Sequence, residues 1–320
     1  MDQLNHFLIT RFSYRGREAF TSIGGPTFLR NEDPLDPARL ELRFKLFEIS
    51  CLPSVLGQTD QRFAWIILVD RDLPKHFYQR LMALVQARPR TFVHVFDPLA
   101  SLAELKWLSS YARSNGYLIT TNLDDDDCIP TRFVAQVQHY MTELDRDSVL
   151  PPIGIIGAKS ALEWDLIPCA AAPLGWQAPW HRSRWVMSVG LSLYCRVPQF
   201  DLCVLGLRHT MADSYLDFSK APVNLNALWF QRAVASSARA NNFELRNWQP
   251  AKLFYDISPE AGAVLLINHG GNDQATRLTE KKAGRVPVTG AGDFPGLAID
   301  WQKARAFAEA LRGESRLSTP

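Results

Sequence analysis

The sequence predicts an α/β protein built on a mostly parallel central sheet flanked by helices. Two observations carry this. Short, wholly apolar runs such as Trp65-Ile66-Ile67-Leu68-Val69 read as strands buried on both faces. Between them lie stretches with helical apolar spacing, and strands interleaved with helices at this interval argue for a parallel, Rossmann-like sheet.

In chain order, Phe7 to Thr10 (FLIT) is a buried strand, closed by a polar loop with Gly16 and the Gly24-Gly25-Pro26 breaker. Asp36 to Leu56 spaces Leu40, Phe44, Phe47, Ile49 and Leu52 as a helix. Asp36 is its N-cap and Pro37 its first residue, and Pro53 is expected to kink it or begin a second helical turn. The run Trp65–Val69 ends in Asp70, a polar residue at a strand's carboxyl end, where parallel sheets place their ligands. Lys75 to Ala87 is a helix, Thr91 to Phe96 a strand, Ser101 to Ser114 a helix and Tyr117 to Leu123 a strand; a helix from about Thr131 to Leu144 follows. Beyond Pro151-Pro152 the pattern turns to short strands (Gly154–Ile156, Val186–Tyr194) and loops. Leu225 to Ala240 is a helix, Ala263 to Ile267 a strand and Asp300 to Arg312 a final amphipathic helix. Residues 1–150 and 151–275 read as two halves of one domain, with 276–320 as a C-terminal extension.

Composition narrows the function. The chain has 320 residues, 47% of them hydrophobic, and a formal charge of +2 with no basic stripe, which argues against a nucleic-acid partner. Five scattered cysteines without a CxxC pair suggest a reducing compartment and neither a disulfide framework nor a zinc knuckle. No apolar run approaches the ~18 residues of a membrane span, and the N-terminus lacks the pattern of a signal peptide. The expectation is a cytoplasmic protein without a transmembrane segment, free to touch the inner face of a membrane peripherally. The sequence carries no GxGxxG, Walker or GxSxG motif.

The most informative residues are Asp124, Asp125, Asp126 and Asp127, directly after the strand GYLITTNL. Four adjacent carboxylates at a partly desolvated strand end repel one another and require a cation or strong donors. Two readings stand: a solvated acidic turn ahead of a helix N-terminus, or a site for Mg²⁺ or Mn²⁺, which takes oxygen ligands together with waters or phosphate oxygens. An EF-hand does not fit, because Cys128 and Ile129 stand where its glycine would be needed. Late in the chain, His269 in INHGGN follows a buried strand and is flanked by glycines that allow close backbone approach. Trp164, Trp176, Trp180 and Trp185 are close in sequence, and indoles either fill a core or stack on sugar faces.

The segments CLPSVLGQTDQRFAWIILVD and GYLITTNLDDDDCIPTRFV resemble, in order and spacing, the first helix, second strand and DxD-bearing turn of GT-A glycosyltransferases. With Arg11-Phe12, the string Arg43…Phe47-Glu48…Leu52-Pro53-Ser54…Gln58 and the late INHGGN, the chain resembles the bacterial rhamnosyltransferase family over most of residues 7 to 275. The resemblance implies a GT-A fold and a metal-dependent glycosyltransferase that uses a nucleotide-sugar donor, dTDP-rhamnose in this family, and a saccharide or glycolipid acceptor.

Carried over residue by residue, Asp124 lies toward ribose or metal, Asp126 and Asp127 on the metal side with His269 as a further ligand, and Asp70 and Arg11 at the nucleotide. Asp125 occupies the variable position and is expected to face solvent. Asp213 is the candidate general base of an inverting transfer, although Ala212-Asp213 departs from the usual acidic pair; Asp217, Glu163 and Asp165 are the other candidates. Trp176 and Trp180 are the candidate acceptor contacts. Two alternatives remain: a nucleotidyltransferase using the same acidic turn, and a non-catalytic carbohydrate- or metal-binding protein.

Overall fold

The computed structural model describes residues 5–13, 33–96, 108, 116–146, 152–166, 168–181, 189–197, 202–207, 225–240, 254–268 and 285–317. A seven-stranded sheet runs through it. Its strands are β1 (Asn5–Phe12), β2 (Ala64–Asp70), β3 (Thr91–Phe96), β4 (Gly116–Asn122), β5 (Ile153–Gly157), β8 (Ser192–Val197) and β9 (Phe254–Asp256), in the spatial order β3-β2-β1-β4-β8-β5-β9. Only β8 runs antiparallel to its neighbours β4 and β5; the other pairs are parallel. The expected mostly parallel α/β architecture is therefore present.

Alternation along β1 feeds both faces of this sheet. Leu8 and Phe12 join Trp65, Ile67 and Val69 of β2 in a core shared with Leu40, Phe44 and Phe47 from one helix, Phe77 and Leu81 from α3 (Lys75–Val85), and Phe133 and Val137 from α4 (Phe133–Arg146). Phe7 and Ile9 join Ile66 and Leu68 on the opposite face, against Phe230 and Val234 of α5 (Leu225–Ala240).

A second, four-stranded sheet has the order β10-β6-β7-β11, from β6 (Ser160–Asp165), β7 (Trp176–His181), β10 (Val264–Asn268) and β11 (Val286–Pro287). Trp164 is buried in it, beside Phe294 and Trp301 of the C-terminal segment, and its indole N–H donates to the Leu174 carbonyl at 2.7 Å. That Trp belongs to the core. After the short α6 (Ser258–Ala261), the last helix, α7 (Trp301–Leu317), is preceded by Asp300, whose carboxylate accepts the Lys303 N–H.

Pro53 does what the sequence requires of it. α1 (Pro37–Leu46) passes into a π-helical turn, Phe47–Cys51, and resumes as α2 (Leu52–Leu56). Proline cannot donate to the carbonyl four residues earlier; that carbonyl, on Ile49, accepts instead from the Asp300 N–H at 2.9 Å. Of the strand expected at Val186–Tyr194, residues 186–188 lie outside the described residues, and β8 (Ser192–Val197) takes up its last part. Gly190 turns the chain at φ +69°, and a Cβ there would meet the Phe133 ring at 2.7 Å, so β8 starts only at Ser192. The helix expected at Ser101–Ser114 lies outside the described residues, apart from the buried Leu108.

A buried polar chain crosses the sheet. Gln138 Nε2 donates to His6 Nδ1 at 3.4 Å, and His6 Nε2 lies 2.8 Å from Thr121 Oγ1. Thr121 reaches Ser192 Oγ at 2.7 Å, and Ser192 donates to the Gly190 carbonyl at 3.2 Å. The hydroxyls pass their hydrogens along when the His6 proton sits on Nε2, and the Gln138 donor at Nδ1 requires that nitrogen to be unprotonated, so the ring is neutral. Burial likewise lowers the His6 pKa to about 3. The unfolded chain takes up this proton below its ordinary value of 6.5, whereas the folded chain refuses it until about pH 3. Stability present above pH 6.5 is thus lost as pH falls toward 3. His6→Asn is expected to remove up to ~1.4 kcal/mol per pH unit from the slope of unfolding free energy between pH 6 and 4, read by urea denaturation. An unchanged slope refutes the neutral buried imidazole.

Candidate active site at the acidic turn

The sheet itself selects the location. From β1 the chain winds outward to β2 and β3 on one side, and resumes on the other side of β1 with β4. Parallel sheets leave a crevice outside their carboxyl ends at such a reversal. Register places Arg11 opposite Leu68 and Ile9 opposite Asn122, so Arg11, Ser13, Asp70 and the acidic turn all emerge at this edge.

Across the reversal, Arg11 Nη2 donates to Asp124 Oδ1 at 3.0 Å, both side chains being partly exposed. Asp70 is buried, and its Oδ1 accepts the Asp72 N–H at 3.0 Å. This is the strand-end capping that an Asp before a turn commonly provides.

Asp125 corrects an expectation. Instead of facing solvent it is fully buried, gripped by two nitrogens of Arg43: Nε lies 3.1 Å from Oδ2, and Nη2 is in closer contact with Oδ1. Its Oδ2 also accepts the Ser13 N–H at 3.3 Å, delivered by a left-handed backbone at φ +44°. A buried carboxylate requires strong donors, and a guanidinium fork supplies them. Arg43 Nη1 further donates to Asp126 Oδ2 at 2.6 Å. Asp127 is nearly buried and accepts the Ile267 N–H from β10 at 3.4 Å. Burial, with the charges of Asp126 and Asp124 beside it, holds the Asp127 carboxyl well above the ordinary range.

Two further groups set the turn's position. The Ser50 hydroxyl, carried by the π-helical turn, lies 2.8 Å from the Leu46 carbonyl and 3.1 Å from the Asp126 carbonyl. Gln58, buried after α2, donates to the Ser54 and Pro130 carbonyls at 2.8 Å and accepts the Val134 N–H at 3.0 Å, which fixes the start of α4 just beyond the acidic run. Arg43 and Gln58 stand in the sequence without any sign of this role beyond the family-like string, and Ser50 without any at all. Their contacts span 72 to 83 residues of chain.

The turn suits a hard divalent cation. Its donors are carboxylate oxygens, and the ion pairs among the described residues bring two guanidinium groups to three of the four carboxylates, Asp124, Asp125 and Asp126. Among the described residues no three acidic, His or Cys side chains converge as a closed cage.

Asp213 and His269 lie outside the described residues. Trp176 is half-buried on β7, with the Arg285 guanidinium 5.7 Å from its ring centre, and Arg285 also pairs with Asp165. Trp180 occupies β7 opposite Ala161, its side chain outside the described residues. Glu163 and Asp165 are buried on β6. Among the described residues, no helix is long and apolar enough to cross a membrane.

The family match that follows makes the chain a glycosyltransferase, and its span holds the acidic turn. Residues 5–150, somewhat under half of the chain, match the family model described as "Putative rhamnosyl transferase". That span contains Arg11, Arg43, Asp70 and all four aspartates. Among solved structures, the apo form of mouse xyloside xylosyltransferase 1 is similar at 11% identity with a TM-score of 0.27, over 79% of this chain and 85% of that one. No curated protein matches the chain.

Because Asp125 is an anchor rather than a surface group, Asp125→Ala is expected to destabilise the protein by about 3–5 kcal/mol, leaving Arg43 without its main partner. Urea denaturation checks this, and a loss under about 1 kcal/mol contradicts it.

Proposed function

We propose that this glycosyltransferase is metal-dependent and inverting, and that it moves rhamnose from dTDP-rhamnose to a saccharide or glycolipid acceptor. The observation that carries the reading is the Arg11–Asp124 pair across the topological reversal, with Asp126 and Asp127 beside it. The match at residues 5–150 supports the choice of sugar.

In this reading Asp70, Arg11 and Asp124 receive the base and ribose. A carboxylate can accept from a base N–H or a pair of ribose hydroxyls, and Arg11 adds fixed donors. Asp126 and Asp127, with His269, would hold Mg²⁺ or Mn²⁺. When bound, the ion supplies positive charge that offsets the charge growing on the departing nucleoside diphosphate. The acidic turn is otherwise hostile to a diphosphate, so nucleotide binding depends on the ion.

Asp213 acts as general base. Its carboxylate takes the proton from the acceptor hydroxyl as that oxygen attacks the anomeric carbon, opposite the breaking bond to the diphosphate. From a β-linked donor the product is an α-rhamnoside. Trp176 and Trp180 present flat apolar faces to the acceptor sugar. We place the reaction in the cytoplasm, with peripheral contact to the membrane where the acceptor is a glycolipid.

Calorimetric titration of dTDP, UDP and GDP, with and without Mn²⁺, tests the donor site. The expected result is binding of dTDP that needs Mn²⁺ and weakens at least about tenfold in Asp126→Asn, the scale of one lost charged interaction. If none of the three binds with Mn²⁺ present, the reading fails. For the base, Asp213→Asn is expected to lower turnover by about 10²–10⁴ while dTDP affinity stays at the wild-type value. Wild-type turnover in that variant removes Asp213 from the mechanism.

A further inference from the structure

The acidic turn carries its own counter-ion, and the two carboxylates it serves are not held alike. Asp125 is fully buried and takes the Arg43 fork together with the Ser13 N–H. From Arg43, Asp126 takes one nitrogen, Nη1 at 2.6 Å, against two for Asp125, and its side chain keeps 10% exposure. Its main chain is steadied separately by Ser50. Of the two carboxylates, Asp126 is the one that Arg43 can release while keeping its fork on Asp125.

We propose that Arg43 is a positioning residue that occupies Asp126 in the donor-free protein and yields this carboxylate to a divalent cation when the nucleotide-sugar binds. The inference rests on the metal reading of the site given above. Its physical basis is competition. Asp126 Oδ2 already accepts a guanidinium N–H, and a divalent ion on that oxygen would face a like charge at hydrogen-bond distance from its own ligand, in partly desolvated surroundings. The guanidinium stays charged at any working pH, so only movement relieves the conflict. A diphosphate favours the exchange, because it adds oxygen ligands for the ion and accepts the N–H donors that Asp126 releases. Metal alone then binds weakly, and metal with nucleotide binds well.

A purely structural Arg43 predicts that its removal loosens the turn and weakens metal binding; exchange predicts the reverse. The test is Mn²⁺ binding to the full chain without nucleotide, followed by electron paramagnetic resonance, for wild type, Arg43→Gln and Arg43→Lys, with folding checked by circular dichroism. Arg43→Gln is expected to bind Mn²⁺ at least about tenfold more tightly than wild type, since a charge-assisted hydrogen bond no longer has to be broken. Arg43→Lys should shift the same way by a smaller factor, because an ammonium lacks the planar fork and serves one carboxylate well. Unchanged or weaker binding in a folded variant overturns the exchange.

Should neither variant fold, the wild-type protein decides: the Arg43 guanidinium resonances are expected to move on addition of Mg²⁺ with dTDP, and unmoved resonances overturn the proposal. Wild type that binds Mn²⁺ with dTDP, beside a folded Arg43→Gln that gains nothing, rejects the exchange alone. Wild type that binds no Mn²⁺ even with dTDP rejects the metal reading and the exchange together.

Discussion

Four carboxylates in a row at the end of a buried strand are a standing electrostatic conflict, and the surrounding structure is organised around resolving it. Water cannot do so for Asp125, which is fully buried, so protein donors must. Arg43 comes from α1, Arg11 and the Ser13 N–H from the end of β1, and the Ile267 N–H from β10. Elements from the beginning, middle and end of the chain are thereby tied to one turn.

The helix before β2 shows how local rule-breaking serves that turn. Pro53 interrupts the α-helical ladder, and the π-helical turn absorbs the interruption while aiming Ser50 at the Asp126 carbonyl. The Ile49 carbonyl that proline cannot satisfy is taken by Asp300, the residue that also caps α7. One proline thus connects the helix beneath the site to the C-terminal segment. The same segment places Phe294 and Trp301 against Trp164, which makes that indole part of the core rather than a sugar platform.

Much of the fold was legible because its signals are local. The run AWIILVD could only be a strand buried on both faces, and Asp36-Pro37 could only open a helix. The helix before Pro53 was legible too, down to the place where it had to change. Less legible were boundaries set by distant partners. The start of β8 depends on Gly190 turning beneath the Phe133 ring, a contact 57 residues apart in the numbering that no local pattern announces.

For the site, the sequence by itself determined the acidic run, its place after a strand and the chemistry such a run demands. Charge repulsion between adjacent residues needs no fold to be recognised. Only the tertiary structure decided how the four aspartates divide the work. Asp125 became an anchor, Asp124 a partner of Arg11, Asp126 a second acceptor for Arg43 and Asp127 a nearly buried acid held by a main-chain N–H. The reason is that a carboxylate's role is set by its donors and its access to water. Here the decisive donor, Arg43, lies 82 residues from Asp125 along the chain and meets it only when α1 packs against the sheet.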